Sequence, residues 1–297
     1  MSKELSKPKV STLVLNMPKD NSKKEQKELQ RTDEWQMSRL GRWTGSQLKN
    51  IMTCSASGGR LTWNDNEKIF HIGAGVLKYT YENAMERKSK RYIDSGQGTK
   101  EMRYGTHVEP LILWEAKRLL KKMKVKGKVK EVGFKQFPTM PNAGVSSDSI
   151  LINKKNKDIV ASLELKACTS WGTHFDRTFD FMDDKGKDFW QTQGQMMAWS
   201  VDVCYYAVAQ PPQDIATYLY HEGDIRDLQK QFGQECNVTI QKLSASKMHQ
   251  HALLKRICIC EKAINDYLKK GGNLRDRLYE SVDYYKQNPE EMNVYIK

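Results

Sequence analysis

Ile159-Val160-Ala161-Ser162-Leu163-Glu164-Leu165-Lys166-Ala167 is the stretch on which the reading of this 297-residue chain turns. Apolar Ile159, Ala161, Leu163 and Leu165 alternate with Val160, Ser162, Glu164 and Lys166, the period-two pattern of a strand with one buried face. Upstream, Asn142 to Ile152 forms a second strand-like run, and Asn153-Lys154-Lys155-Asn156-Lys157-Asp158 between the two is turn chemistry. Together they predict an antiparallel hairpin. Residues two apart on a strand share a face at a spacing of about 6.6 Å, so Glu164 and Lys166 stand side by side. Asp148 lies at the foot of the preceding strand, 16 residues before Glu164, which places the two carboxylates together. Such a pair repels unless a cation joins it, and hard oxygen donors suit Mg²⁺. A neighbouring lysine can orient or help deprotonate a water, which makes a hydrolytic site for phosphodiesters. The plainer account of the same residues is an exposed cross-strand ion pair and a turn-forming aspartate.

Outward from the hairpin, Val108, Ile112, Ala116 and Leu119 predict a helix that begins at Thr106. It runs into Lys117 to Lys130, where eight of fourteen residues are Lys or Arg. Ser46 is placed to cap a short helix whose stripe is Leu48, Ile51 and Met52. Residues 54–65 read as a loop and 66–90 as a helix. A further helix is expected over 188–200, strands over 203–209 and 215–221, and helix through the remainder, with Leu253, Ile257, Cys260, Ile264 and Tyr267 as one stripe. Residues 1–30 read as a basic, disordered tail. The expected organisation is thus a tail (1–30), a core (31–225) and a helical C-terminal extension (226–297).

Composition narrows the class. With 38% hydrophobic and 29% charged residues, a mean hydropathy of −0.73 and seven Trp, the chain is a wet-surfaced globular protein. The apolar-looking run Val10 to Met17 falls far short of the roughly 20 residues a membrane span needs. The Lys- and Glu-bearing first nine residues speak against a signal peptide. Lys and Arg number 49 against 36 Asp and Glu, a net charge of +13. Such a field attracts polyanions, nucleic acid first, although it also serves solubility. The six cysteines form no CxxC pair, which points to a reducing cytoplasm rather than a disulfide framework or zinc site.

Two other segments carry polar groups of note. Glu109 follows Thr106 in a Thr-x-x-Glu pattern, which a capping box alone explains. Trp190-Gln191-Thr192-Gln193-Gly194-Gln195-Met196-Met197-Ala198-Trp199 is helix-compatible, with Gln193 and Met197 on one face and Gln195 and Trp199 on another. Hydrogen bonding to neighbouring backbone accounts for these amides without function. Trp43, Trp171 and Trp190 suit either a protein core or stacking at a duplex end.

The order of these motifs resembles the PD-(D/E)XK nucleases, and within them the lambda exonuclease and YqaJ-type viral recombinase family. The segments that carry the resemblance are Arg39-Leu40-Gly41-Arg42-Trp43-Thr44-Gly45-Ser46, Gly105-Thr106-His107-Val108-Glu109, Ser146-Ser147-Asp148, Leu163-Glu164-Leu165-Lys166, and Trp190 through Met197. The resemblance implies an α/β (α+β) fold with a restriction-endonuclease-like core, a central mixed β-sheet flanked by helices. It implies Asp148, Glu164 and the Leu165 carbonyl as metal ligands, with Glu109 as a ligand of a second metal or of water. Lys166 would position the attacking water, and Gln193 would orient that lysine or the water. Arg39, Thr44 and Ser46 match the family's pocket for a terminal 5′-phosphate, with Ser146 lining it and His174 as a candidate basic member. A helix N-terminus there suits an anion.

The implied function is Mg²⁺-dependent exonucleolytic digestion of double-stranded DNA ends, 5′ to 3′, in recombination or repair, with two ions and with Mn²⁺ able to substitute. The implied partners are duplex ends, a single-strand annealing protein and further copies in a toroidal trimer, in the cytoplasm of a bacterial host. Three departures stand out. Ser147-Asp148-Ser149 replaces Pro-Asp-Gly, the proline expected shortly after Lys166 is missing from Ala167-Cys168, and residues beyond 225 exceed the minimal core. The alternatives are a RecB-like or structure-specific endonuclease and a catalytically silent nucleic-acid-binding protein. An iron–sulfur cluster of the RecB kind lacks ligands, since Cys258-x-Cys260 is the only close thiol pair.

Overall fold

The computed structural model describes residues 33–54, 68–92, 99–179, 188–232 and 236–296. The expected tail and most of the 54–65 loop fall outside these residues. The chain enters through α1 (Asp33–Arg39), β1 (Trp43–Thr44) and α2 (Leu48–Ile51), then α3 (Ala74–Ser89) and the long α4 (Lys100–Lys122). Strands β2 (Lys128–Glu131), β3 (Phe134–Phe137), β4 (Met140–Ser146), β5 (Ser149–Ile152) and β6 (Ile159–Ala167) follow. Helices α5 (Trp171–Phe179) and α6 (Phe189–Ala198) lead to β7 (Val203–Ala209). Then come α7 (Ile215–Tyr220), α8 (Ile225–Phe232), β8 (Val238–Ser244), α9 (Lys247–Lys270) and α10 (Leu274–Gln287).

The strands form two mixed sheets. Five are ordered β2-β5-β6-β7-β8, and three are ordered β1-β4-β3. The hairpin is present: β5 and β6 pair antiparallel, with Leu151 opposite Ala161 and Ser149 opposite Leu163. Its turn is closed by backbone bonds from Asn153 N to Asp158 O and from Lys157 N to Asn153 O, and Lys157 adopts a left-handed φ of 65°. β6 runs parallel to β7, with Glu164 opposite Tyr206 and Lys166 opposite Val208. Both faces of β6 are covered. Ala161, Leu163 and Leu165 pack with Val108, Ile112 and Ala116 of α4, while Cys204, Tyr206 and Val208 on the other side of the sheet meet Met196 of α6. The fold class is therefore the mixed α/β architecture that the resemblance implies.

Several elements differ from the sequence reading. Asn142 to Ile152 is two strands in different sheets, broken at Ser147-Asp148. The helix expected from Thr106 starts at Lys100, capped by Thr99, whose side chain accepts from Met102 N at 3.3 Å. Thr106 lies inside it, donating to Met102 O at 3.0 Å, so no capping box forms with Glu109. Residues 215–221 are not a strand. Despite their β-prone side chains, Asp214 caps α7 by accepting from Thr217 N. The stretch after 225 is not all helical, because β8 completes the sheet against β7. Ser46 caps no helix: it lies inside a 3₁₀ turn (Gly45–Gln47) preceded by Thr44, Gln47 holds the N-cap position of α2, and Ser46 is exposed. Of the tryptophans, Trp43 and Trp190 are core and Trp171 is exposed. Lys121, Lys122, Lys124, Lys126 and Lys128 are solvated along the end of α4 and edge strand β2, where charge also discourages edge pairing.

The C-terminal helices belong to the main core. Leu253, Ile257 and Ile264 of α9 share a buried cluster with Val76 and Ala84 of α3, Val145 of β4 and Trp190 of α6. One carboxylate fixes the join. Glu261 on α9 accepts from Trp43 Nε1 at 2.5 Å, from Arg87 Nη1 at 3.0 Å and from Asn142 Nδ2 at 2.8 Å. Arg87 in turn donates to Gly41 O at 2.7 Å. Glu261→Ala leaves the Arg87 guanidinium, whose side chain is 11% exposed, without its carboxylate. Breaking such a pair costs about 3–5 kcal/mol. Urea unfolding should show that loss, and a change below about 1 kcal/mol, the surface-pair level, would contradict it.

Candidate active site

β5 stops pairing with β6 at Leu163, and this register builds the site. Beyond it, Asp148 in the break before β5 fills the strand's place: its Oδ2 accepts from Leu165 N at 2.7 Å. That bond draws the Asp148 carboxylate to the level of Glu164, as the hairpin reading expects. Glu164 is 2% exposed. It accepts from Gln191 Nε2 at 2.7 Å and from Gln195 Nε2, and Lys166 Nζ lies 2.6 Å from its Oε1. Lys166 also donates to Gln191 Oε1 at 3.0 Å, so Gln191 bridges the two ends of the ion pair.

Gln193 is the correction. Residues on an α-helix advance by about 100° each, so Gln191 and Gln195 share a face and Gln193 points away from it. Its side chain donates to Ser244 O at 3.2 Å and accepts from Ser246 N at 2.8 Å, tying α6 to the end of β8. The i, i+4 spacing of Gln191 and Gln195 was the available signal. Gly194 lets this helix ride close to its neighbours, because a Cβ there would meet Leu48 Cδ1 at 2.7 Å.

Two further groups escaped the sequence reading. Asp188, 3% exposed, pairs with Lys166 at 3.7 Å and accepts from Arg177 Nε at 2.9 Å and Tyr206 Oη at 2.6 Å. The cluster thus collects Asp148, Glu164 and Asp188 against Lys166 and Arg177, and Glu109 of α4 lies near enough to act on Asp148. Burial, then the charges of Glu164 and Glu109, push the Asp148 carboxyl well above the usual range. Burial also raises Glu164, although Lys166 pulls it the other way. At Lys166, burial favours the neutral amine, but Glu164, Asp188 and Asp148 outweigh it and hold the ammonium form. The cluster is short of positive charge. Among the described residues, no group of three or more His, Cys, Asp or Glu side chains is gathered as a ready metal cage. The groups that could hold a cation are the Asp148 and Glu164 carboxylates, with Glu109 near enough to act on Asp148.

The residues expected to hold a terminal phosphate gather in part. The Arg39 guanidinium lies 4.1 Å from the centre of the Trp35 ring, and Trp35 Nε1 donates to Ser146 Oγ at 3.1 Å. Tyr79 Oη accepts from Thr44 N at 2.8 Å and is itself near enough to Arg39 to affect its charge. Arg39 Nε is buried and bonds to no described residue. The next turn reaches the Glu164–Lys166 cluster, since a Cβ on Gly45 would lie 3.6 Å from Gln191 Cγ. Ser46 is exposed beside this turn. His174 sits on α5, edge-on to Trp171, and among the described residues makes no hydrogen bond or ring contact with Arg39, Thr44, Ser46 or Ser146.

The chain matches the model of a family described as the YqaJ-like viral recombinase domain over residues 34–200. Its fold is similar to that of LHK-Exo, an alkaline exonuclease from Laribacter hongkongensis, in two crystal structures, one of them in complex with dAMP. Both structures give a TM-score of 0.50 at 19% identity, covering 88% of this chain and 100% of that one. A phage-related exonuclease from Haemophilus somnus shares 16% identity at a TM-score of 0.48, covering 84% of this chain and 96% of its own. No curated protein matches the chain. No helix among the described residues is long and apolar enough to cross a membrane. Since the matched span takes in over half of the chain and holds Asp148, Glu164, Lys166 and Gln191 alike, the chain belongs to the YqaJ-like viral recombinase domain family.

Proposed function

We propose that this protein is a metal-dependent deoxyribonuclease that digests duplex DNA from its ends, 5′ to 3′, in phage-type recombination. One observation carries the reading: a buried Glu164–Lys166 pair on one strand, with Asp148 drawn beside it by the Leu165 amide. Family membership and the exonuclease-like fold support it. Asp148, Glu164 and the Leu165 carbonyl would hold a divalent cation, Mg²⁺ or Mn²⁺, and Glu109 would serve a second ion or a water. The charge-poor carboxylate cluster fits such a group. When bound, the cation polarises the scissile phosphate.

The chain's own side chains do the rest. Lys166, cationic and held by Gln191, orients the attacking water and offers positive charge to the phosphate. Gln195 and Gln191 fix the Glu164 carboxylate, leaving it no freedom to swing from the site. Arg39, whose buried Nε bonds to none of the described residues, receives a terminal 5′-phosphate together with Thr44, Ser46 and Ser146. Trp35 holds the guanidinium flat from one side.

End-labelled linear, circular and nicked duplexes in Mg²⁺ test the activity. Linear DNA should shorten from its 5′ ends while closed circles stay intact, and cleavage of closed circles would favour the endonuclease reading. Arg39→Ala should lose most of the preference for 5′-phosphate over 5′-hydroxyl ends. A charge-assisted bond of roughly 1.5–3 kcal/mol makes that preference about ten- to a hundredfold. An equal rate ratio in both proteins would remove Arg39 from end recognition.

The two glutamines separate by face. Gln191→Ala should lower kcat by roughly ten- to a hundredfold, the scale of a lost charge-assisted bond. Gln193→Ala should change kcat little while lowering the unfolding midpoint. The reverse pattern would contradict the geometry of α6. Stability in EDTA supplies a further check. A carboxyl whose folded pKa is raised costs stability above that pKa, and the cost fades as pH falls toward the ordinary carboxylate range. Asp148→Asn should therefore melt higher than wild type at neutral pH, with the gap closing on acidification. A lower midpoint at neutral pH would contradict this.

A further inference from the structure

Lys166 has two acidic partners at unequal distances. Its Nζ lies 2.6 Å from Glu164 Oε1 and 3.7 Å from Asp188 Oδ1. The first is a charge-assisted hydrogen bond and the second is an ion pair one short movement away from becoming one. Asp188 cannot drift, because its other oxygen is fixed twice, by Arg177 Nε at 2.9 Å and by Tyr206 Oη at 2.6 Å. Arg177 is itself anchored to the end of the catalytic strand, donating from Nη1 to Ala167 O at 2.9 Å. The Asp188 carboxylate is thus held rigidly, with Oδ1 directed toward the lysine.

Glu164 is also the carboxylate proposed to hold the cation. A divalent cation held by this carboxylate would bring like charge against the ammonium that now lies 2.6 Å from its Oε1 in a buried site. The lysine therefore needs another carboxylate within reach, and it has one. We propose that Asp188 is a positioning residue that takes over Lys166 when Asp148 and Glu164 hold a divalent cation. The proposal rests on the metal-dependent reading above. Lys166 then needs to close by only about 1 Å to reach the usual charge-assisted distance of about 2.8 Å. It stays beside the phosphate, cationic and out of the ligand set. Asp188 touches neither substrate nor metal in this scheme and acts through Lys166 alone.

The test is Mn²⁺ binding by the full chain without DNA, read from the electron paramagnetic resonance of free Mn²⁺. Four proteins form a cycle: wild type, Asp188→Asn, Lys166→Met and the double variant. In the wild-type background, Asp188→Asn should raise the Mn²⁺ Kd by about tenfold or more, because the ammonium then competes from Glu164. In the Lys166→Met background the same substitution should change Kd by less than about twofold. Equal losses in both backgrounds would make Asp188 a structural brace and overturn the proposal. So would unchanged affinity in Asp188→Asn. Should Asp188→Asn fail to fold because Arg177 is left unpaired, Asp188→Asn/Arg177→Gln removes both buried charges together and takes its place in the cycle. If wild type itself binds no Mn²⁺, the metal-dependent reading fails and this proposal falls with it. Binding by wild type that Asp188→Asn leaves intact defeats only the role given to Asp188.

Discussion

A lysine ammonium 2.6 Å from a carboxylate that is 2% exposed is expensive to assemble, and much of the architecture around β6 exists to make it tolerable. Removing both charges from water is repaid only when their remaining hydrogen-bonding positions are filled. Gln191 fills one on each partner, Gln195 fills another on Glu164, and Asp188 provides a second counter-charge for Lys166. These groups come from α6 and from its first residue's neighbour, so the placement of that helix against β6 decides whether the pair can exist. Gly194 lets the helix sit close to Leu48, Val145 and Phe137 on its other side, and Gln193 bolts it to β8. A site of this kind trades stability for chemistry: three carboxylates gathered around two cations resist folding unless something positive joins them.

The helices after β8 give the second half of the account. Through Glu261, α9 fastens Trp43, Arg87 and Asn142, and Arg87 fastens Gly41. The segment so held runs from Arg39 to Gly45, which ends beside Gln191. A residue far along the chain thereby anchors the segment that lies between the proposed phosphate pocket and the Glu164–Lys166 cluster. That separation matters for any enzyme that measures from a terminus, since a misplacement of one ångström costs orders of magnitude in rate.

What was legible in the sequence was whatever depended on local period. The hairpin, the side-by-side Glu164 and Lys166, and the placement of Asp148 all follow from alternation and turn chemistry. So does the helix that holds the glutamines. What failed depended on partners distant in sequence. Period alone shows that Gln191 and Gln193 face differently, but the sheet decides which face is inward, and it turns Gln193 toward the end of β8. Residues 215–220 carry β-prone side chains, yet the Asp214 cap turns them into a helix, an override that a four-residue pattern encodes only weakly. β8 alternates Val238, Ile240 and Lys242 with Thr239, Gln241 and Leu243, a pattern without a clean apolar face, so its place beside β7 was invisible. Asp188 and Arg177 were invisible too, because each looks like an ordinary charged surface residue until the other is eleven residues away across a buried gap.

The central claim is that the carboxylate of Glu164 is where the reaction is organised. The direct measurement is release of nucleotides from a uniformly labelled linear duplex in Mg²⁺ by Glu164→Gln, alongside its DNA affinity in EDTA. The substitution keeps the shape of the side chain, removes its charge and turns one of its two accepting oxygens into a donor. The account predicts no release above background with DNA affinity at the wild-type level. Release at a rate near that of wild type would contradict it.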